Sequence, residues 1–416
     1  MSGPLDGIRV LDLCDPKGQY MGRLLASHGA DVIKVEPLAG DPGRRIGPFV
    51  DDVAGVNRSL FWWYYNADKR SVAIDLCQPD GAALIRRLAA NVDVVLESFA
   101  PGTLAELGLD YATLSADQSE LVMTSLTPFG QDGPRANWAW SDAVGLALAG
   151  PMSLCGYDDL PGTPPIRPTE HQAFHIGSHF GAAGTLVALL ERAESGRGQY
   201  VDASIHEACA TTTEAGMPYA LFERQPLRRQ TGRHAAARPT EPWNYPASDG
   251  RAINIFGMPR GDADFLQLVE WAEESGLGGE LRDPELRDGR KRQLGLGQDS
   301  AERMLHDLAA FIASKPSQEI YRGGQERGAA WGTLNTPDEL LDDPHFHERG
   351  FWVDVDHDEL GRTIMYPGAP AKLLGSEWAI RRRAPLLGEH TDTILRDELG
   401  LSRDELTALA GAEIIA

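Results

Sequence analysis

The sequence predicts an α/β protein whose main element is a Rossmann-like parallel sheet. Between Ile8 and Leu126, short apolar runs rich in β-branched residues alternate with amphipathic segments of helical spacing. Such helices are the crossovers that parallel strands need. The run Val92–Glu97 is almost continuously apolar, as expected for a strand covered on both faces. Together these features indicate a doubly wound α/β domain.

The individual elements follow from the same pattern. Gly29 is well placed to end the first helix in a left-handed conformation. The usual GxGxxG fingerprint is absent, which argues against a nicotinamide cofactor. The predicted helices are Tyr20–His28, Pro79–Asn91, Trp140–Gly150 and Phe180–Arg192. The predicted strands are Ile8–Leu13, Ala30–Glu36, Arg70–Leu76, Val92–Glu97, Leu121–Leu126 and Tyr200–Ser204.

The composition and the hydrophobic pattern of the sequence change twice along the chain. Residues 1–224 carry the sheet pattern and are predicted to form the N-terminal part of the large domain. Residues 225–335 begin with a basic stretch poor in large apolar side chains, then alternate short strands and helices, which predicts a linker and a smaller α+β domain. Residues 336–416 are expected to return to the large domain. Within the small domain, 282–299 is polar and predicts an exposed loop.

Composition and charge restrict the possible partners. The net charge of −22 disfavours nucleic acid and anionic membrane surfaces. We find neither an apolar run long enough for a bilayer nor a signal peptide, so a cytoplasmic location is expected. The four cysteines lie far apart and form no CxxC pair, which predicts neither a metal site nor a disulfide framework. The cysteines are Cys14, Cys77, Cys155 and Cys209.

Several sequence blocks occur in an order that is typical of one enzyme family. They include GIRVLDL, GADVIKVEP, NADKRS, VVLESFAPG, TPFGQDGP, GRGQYVDASIHE and LGEHTDTI. In this order, over nearly the whole chain, they resemble the class III CoA-transferases, the family that also contains the 2-methylacyl-CoA racemases. The resemblance implies a large Rossmann-like domain built from both chain ends, a small domain between them, and an interlocked dimer. It also implies coenzyme A or acyl-CoA as a substrate, with no metal.

The resemblance suggests which residues contact CoA. Lys69 and Arg70 match a motif placed near the nucleotide phosphates, where fixed cations make charge-assisted hydrogen bonds. Ser98 and Phe99 follow a strand at the edge where open α/β sheets bind ligands, and Phe99 could stack on adenine. A solvated charge pair and a core phenylalanine fit the same residues. Further candidates are Thr103 and Leu107 at the next helix, where the dipole favours an anion, with Phe129 and Gln131 as pocket or turn residues.

The catalytic position departs from the family pattern. Family transferases use an aspartate as the nucleophile that attacks the thioester, and its place falls here on Phe174, or on Ala173 after a shift of one residue. Glu170 is the nearest carboxylate and is the predicted substitute, although a surface or helix-capping role also fits it. His171, His175 and His179 share one face if this stretch is helical, and they could form a metal site or a proton relay or only pack as polar residues.

Two functional hypotheses follow. The first is an acyl-CoA:carboxylate CoA-transferase that moves CoA between a small-molecule carboxylic acid and an acyl-CoA, with Glu170 or an unidentified group as nucleophile. The alternative is a CoA-binding but catalytically silent subunit paired with a related chain that carries the aspartate. Racemisation needs an acid and a base on opposite faces of the substrate. Ser141 occupies the position of the racemase histidine, so the sequence argues against racemase activity. A homodimer and a heterodimer with a related chain both remain open.

Overall fold

The computed structural model describes residues 2–169, 171–214, 216–238, 240, 242–255, 259, 261–289 and 298–416. The chain forms two compact units, each assembled from separate stretches of sequence. The first contains residues 1–151, 167–213 and 344–416, and the second contains 152–166 and 214–343. Both chain ends therefore contribute to the first unit. The predicted limits of the domains, 225 and 335, remain predictions.

A six-stranded parallel sheet with the order β3-β2-β1-β4-β5-β6 forms the centre of the first unit. The Rossmann-like sheet predicted from the apolar runs is confirmed. The strands are β1 (Arg9–Asp12), β2 (Asp31–Glu36), β3 (Arg70–Ala73), β4 (Val94–Glu97), β5 (Val122–Thr127) and β6 (Tyr200–Ser204). Strand β1 pairs with β2 on one side and β4 on the other, so Leu11 lies beside both Ile33 and Val95.

Among the described residues between Gln19 and Thr211, eight α-helices accompany the sheet. They are α1 (Gln19–Ser27), α2 (Leu60–Asn66), α3 (Pro79–Ala89), α4 (Thr103–Glu106), α5 (Tyr111–Asp117), α6 (Asp142–Ala149), α7 (Gln172–Ser195) and α8 (Ile205–Thr211). Helix α7 begins at Gln172, eight residues before its predicted start at Phe180. The sequence did not indicate a helix over residues 172–179, because they are rich in histidine and lack an obvious apolar stripe. In α7, Gly181 lies against Met21 of α1, and Gly177 lies against Ile205 and Leu126, so the helix packs closely on its neighbours.

Among the described residues, α7 has the length and apolar composition of a membrane-crossing helix. It packs on α1, β5, β6 and α8, and Ala182, Thr185 and Leu189 are among its buried side chains. A core helix of a water-soluble protein passes the same test of length and composition.

The C-terminal stretch of the first unit completes its core. Ile394, Leu395, Ile414 and Ile415 are buried with the apolar residues of β1, β2 and β3. Residues Ile74 and Ile415 form an isolated antiparallel bridge at the end of β3. The stretch also contains the hairpin of β12 (Trp352–His357) and β13 (Arg362–Pro367), the helical turns Thr391–Thr393 and Ile394–Glu398, and the helix Arg403–Gly411.

The second unit has its own apolar core around an antiparallel sheet of β9 (Asn244–Pro246), β10 (Ala252–Ile255) and β11 (Trp331–Thr333). A hairpin of β7 (Arg228–Gln230) and β8 (Arg233–Ala236) occupies the basic stretch expected to be a linker. The α-helices that follow in the described part of this unit include Asp262–Glu274, Gln298–Ala313 and Ser317–Glu326. The predicted polar loop at 282–299 lies partly outside the described residues.

Candidate functional site

The strand order reverses between β1 and β4, and the loops that follow these two strands leave the sheet in opposite directions. In open α/β sheets this point forms a crevice at the carboxyl ends of the strands, where ligands bind. Ser98, predicted to contact CoA, lies in this crevice and is buried. Its Oγ accepts a hydrogen bond from the backbone N of Asp15 (2.9 Å) and donates to Asp15 Oδ1 (2.8 Å). Ser98 therefore joins the two walls of the crevice.

The segment after β4 lines one side of this crevice. The backbone N of Phe99 donates to Glu97 Oε2 (2.7 Å), and the Phe99 ring is partly buried against the core. Leu107 packs against the same core, and Thr103 is half-buried at the start of α4. Because α4 is a single turn of four residues, its dipole adds little for an anion. The CoA-binding roles of these three residues remain predictions.

Lys69 is wholly buried and is hydrogen-bonded by its ammonium group to three oxygens. Its Nζ donates to Asp12 Oδ2 (2.7 Å), the carbonyl oxygen of Gln19 (2.7 Å) and Asn66 Oδ1 (2.9 Å). An ammonium group has three N–H donors, so this set uses all of them. Burial lowers the pKa of Lys69, and the Asp12 carboxylate opposes that shift. The structure thus gives Lys69 a role inside the protein, and a contact with phosphate remains only a prediction.

Arg70 begins β3 and so lies at the amino edge of the sheet, away from the crevice. Its guanidinium pairs with Asp31 (2.5 Å) and with Glu398 (2.5 Å). These two carboxylates already satisfy the cation. The contact of Arg70 with phosphate remains a prediction, and a position at the amino edge of the sheet does not favour it.

Lys69 belongs to a larger buried group of charges under the first part of the sheet. Lys34 Nζ lies 3.3 Å from Asp41 Oδ2, and Arg44 pairs with Glu36 at 2.5 Å. The Arg44 guanidinium also lies 3.7 Å from the ring centroid of Trp62. With Asp12 and Lys69, the group contains three cations and three carboxylates, so its charges balance. Paired and hydrogen-bonded charges are the form in which ions are tolerated in a protein interior.

A second polar pocket lies on the β5–β6 side of β4. It has a volume of about 280 Å³ and is lined by Glu97, Gln131 and Tyr200, among others. Gln131 Nε2 donates to Ser125 Oγ (2.6 Å) and to Glu97 Oε1 (3.4 Å). Burial raises the pKa of Glu97 to about 8, although the N–H of Phe99 opposes the shift. Glu97 can therefore hold or release a proton near neutral pH.

Phe129, the other predicted pocket residue, is nearly buried among aromatic rings. Its ring centroid lies 5.2 Å from that of Trp140 and 5.5 Å from that of His206. Edge-to-face packing with Trp140 explains its position without a ligand. The substrate-binding roles of Phe129 and Gln131 remain predictions.

The predicted catalytic position lies at the amino end of α7. Glu170 is outside the described residues, and its role as nucleophile remains a prediction. Phe174 is half-buried, with its ring centroid 5.6 Å from that of His171. The backbone N of Ala173 donates to Asp142 Oδ1 (2.8 Å). A carboxylate therefore touches this segment, although it comes from α6.

His175 forms a hydrogen bond through Nε2 with the hydroxyl of Tyr65. Burial lowers the pKa of His175 to about 4, and His179 and His171 add to the shift, so the imidazole is neutral at physiological pH. The Tyr20 ring packs on His175 at 4.4 Å between centroids. Among the described residues, no group of three or more histidine, cysteine, aspartate or glutamate side chains has the arrangement of a metal site.

Sequence reasoning missed three groups that the fold brings to this edge of the sheet. Lys17, in the loop after β1, pairs with Asp15 beside Ser98 and is a cation at the mouth of the crevice. Asp142 falls within the predicted helix Trp140–Gly150 but was not predicted to belong to the site, and Tyr65 was not singled out. The contacts of Asp142 and Tyr65 join segments far apart in the chain, so no local spacing reveals them. The Asp-Pro-Lys-Gly turn after β1 was a usable signal for Lys17.

Comparison with known proteins identifies the family. The model of CoA-transferase family III matches residues 5–391. A subunit of succinyl-CoA:(R)-benzylsuccinate CoA-transferase from Thauera aromatica is 36% identical, covering 93% of this chain and 92% of that protein. Succinyl-CoA–D-citramalate CoA-transferase from Chloroflexus aurantiacus is 35% identical, covering 99% and 98%.

A solved structure supports the same assignment. The crystal structure of a CaiB/BaiF family protein from Brucella suis superposes with a TM-score of 0.80 at 27% identity, covering 96% of this chain and all of that one. The order of sequence blocks, the six-stranded sheet and these relatives agree over nearly the full length. The chain belongs to CoA-transferase family III.

Proposed function

We propose that this chain is an acyl-CoA:carboxylate CoA-transferase. The proposal rests on the alignment of this chain with relatives named as CoA-transferases. The alignment extends over nearly the full length of both proteins. The crevice between β1 and β4 supports it, because this is where a doubly wound sheet holds a nucleotide-bearing ligand. The reaction passes CoA from an acyl-CoA to a free carboxylic acid, so the protein needs to bind only these two small molecules.

We propose dicarboxylic acids as the substrate class, with succinyl-CoA as donor. Relatives from Thauera and Chloroflexus are named for succinyl-CoA together with benzylsuccinate, citramalate or malate. CoA would lie across Ser98, Phe99, Thr103 and Leu107, with Lys17 facing its phosphates or the acyl carboxylate. The pairing of Lys17 with Asp15 would have to open for this contact. An acidic protein of net charge −22 needs such local cations to hold a polyanion.

A catalytically silent subunit is the second candidate, and Phe174 is the observation that favours it. The family resemblance implies that Phe174 falls where its transferases carry the nucleophile, and an aromatic ring cannot attack a thioester. Some relatives are named as subunits, including the protein from Thauera and the malate enzymes of Chloroflexus. In that case the chain would bind CoA and form an interlocked dimer with a related, aspartate-bearing chain. In the first case two copies of this chain would form the dimer.

CoA exchange by the purified chain alone separates the two. The chain is incubated with succinyl-CoA and a second dicarboxylic acid, and new thioesters are sought by mass spectrometry. We expect the CoA thioester of the added acid to form. Binding of CoA without exchange would overturn the transferase proposal and support the silent subunit. Absence of both would overturn both.

A further inference from the structure

Arg23 of α1 is a buried cation with unused hydrogen-bond donors. The residue is only 6% exposed. Its Nε donates to the carbonyl oxygen of Tyr64 (3.1 Å), and its Nη1 donates to Ser27 Oγ. A guanidinium has five N–H donors, and within the described residues Nη2 has no hydrogen-bond partner, although it is not closed off from solvent. Arg23 therefore has donors left for a group that enters from outside.

Asp68 compensates the charge of Arg23 only in part. Its Oδ1 accepts two backbone N–H groups of the segment 381–382, at 2.6 and 2.9 Å. Burial raises the pKa of the Asp68 carboxyl, and the charge of Arg23 is among the causes that oppose this shift. The two side chains form no ion pair in the described structure, whereas the equally buried Arg44 pairs with a carboxylate at 2.5 Å. A buried cation without a counter-ion is costly, and an incoming anion would remove that cost.

Arg23 lines a cavity of about 240 Å³ between α1 and the C-terminal stretch of the first unit. Its aromatic walls are Tyr20, Tyr64, Phe351 and Trp378. The rings of Tyr20 and Tyr64 are stacked, and the guanidinium carbon of Arg23 lies 6.0 Å from the centroid of the Tyr64 ring. The cavity shares no described residue with the pocket of Glu97. An apolar cavity of about 150 Å³ holds benzene, so this one has room for a ring with a short acidic side chain.

We propose that this cavity binds a small apolar monocarboxylic acid, with Arg23 as the partner of its carboxylate. The arginine fork matches the geometry of a carboxylate, and the aromatic walls would cover the apolar body of the acid. Apolar walls with a few well-placed polar groups are the usual composition of a small-molecule site. A dicarboxylate would have to bury its second charge among aromatic rings, so the acid differs in class from the substrates proposed for CoA transfer. The inference does not rest on the proposed function.

Calorimetric titration of the full chain with phenylacetate tests the site. Phenylacetamide has the same ring without the charge and is the control ligand. We expect phenylacetate to bind and phenylacetamide to bind more weakly by about ten-fold or more. Arg23→Gln keeps an amide N–H for the carbonyl oxygen of Tyr64 but removes the charge, and it should weaken phenylacetate binding by about ten-fold or more. Lys17→Gln, at the mouth of the crevice, is the control variant, and we expect it to bind phenylacetate like the unaltered chain.

A second variant fills the cavity without changing any charge. Ala369 lines the cavity and is half-buried, and we expect Ala369→Phe to abolish phenylacetate binding. The proposal is wrong if the unaltered chain does not bind phenylacetate, or if Arg23→Gln or Ala369→Phe binds it with unchanged affinity. Loss of binding in Lys17→Gln alone would assign the acid to the crevice and also overturn it.

If circular dichroism shows that Arg23→Gln does not fold, Ala369→Phe and the comparison of the two ligands decide. These measurements do not involve CoA exchange, so the proposed function can fail while this site stands, and the reverse.

Discussion

Lys69 Nζ lies 2.7 Å from Asp12 Oδ2, and both side chains are wholly buried. Breaking a buried pair by removing one partner leaves the other charge without compensation, at a cost of about 3–5 kcal/mol. We expect Lys69→Met to lower the free energy of unfolding by that amount in chemical denaturation. Lys69→Met combined with Asp12→Leu should cost clearly less than the sum of the two single changes.

The matched control for that pair is the exposed pair of Arg86 and Asp117, whose Nη2 and Oδ2 lie 3.0 Å apart. Exposed pairs contribute about 0–1 kcal/mol, so Arg86→Met should hardly move the unfolding midpoint. Equal losses in the two variants would contradict a special role for the buried pair. So would a Lys69→Met protein that keeps its full stability.

Gly22 of α1 packs against the buried pair of Asp12 and Lys69. A methyl group added at Gly22 would overlap Asp12 Oδ2 and come within 3.1 Å of Lys69 Cε. We expect Gly22→Ala to destabilise the protein by about 1–3 kcal/mol, as overpacking does. Gly411 ends the helix Arg403–Gly411, and nothing lies within 4 Å of the methyl group it would carry.

The control substitution Gly411→Ala should therefore be neutral or slightly stabilising, by about 0.5–1 kcal/mol. Thermal unfolding of the two variants measures the difference. A Gly22→Ala protein as stable as Gly411→Ala would show that α1 and the buried pair can separate at little cost.

The buried carboxyl of Glu97 makes stability depend on pH. Its pKa is about 8 in the folded protein against an ordinary value of 4.5, so the fold favours the protonated form. Stability from this group is present at low pH and is lost as the pH rises from the ordinary value to the folded one, at up to about 1.4 kcal/mol per pH unit. We expect Glu97→Gln to be more stable than the unaltered chain at about pH 9 and to lose this advantage at about pH 5.

Denaturant titrations of both proteins at the two pH values provide the measurement. The amide introduced by Glu97→Gln keeps the size of the side chain and can still accept the N–H of Phe99. A difference between the two proteins that is the same at both pH values would contradict the prediction.

The burial of His175 makes stability depend on pH in the acidic range. Its pKa is about 4 in the folded protein and 6.5 ordinarily, so the unfolded chain gains a proton first as the pH falls. Stability from this group is present above the ordinary value and is lost as the pH falls from 6.5 towards 4. NMR titration should show the His175 imidazole neutral at about pH 6. A protonated His175 at that pH would contradict its burial against Tyr65.

Much of the fold was predictable because the strands carry local signals. A run such as Val94–Glu97 is apolar almost throughout, and a strand covered on both faces explains it. The site was far less predictable, because its contacts join residues such as Asp142 and Ala173 that are 31 positions apart. For Lys69, the family resemblance suggested a contact with phosphate, which remains a prediction. The three oxygens that its ammonium group contacts inside the protein could not be predicted from the motif.

The bridge between Ile74 and Ile415 has a consequence for synthesis on the ribosome. Residues 344–416 belong to the unit that residues 1–151 begin, and most of the second unit is translated between them. When the second unit has been translated in full, the first unit still lacks residues 344–416, so the apolar edge of β3 is uncovered. Exposed strand edges of this kind promote aggregation of nascent chains. Translation speed and chaperone access over the final stretch should therefore limit the yield of active protein, however stable the finished molecule is.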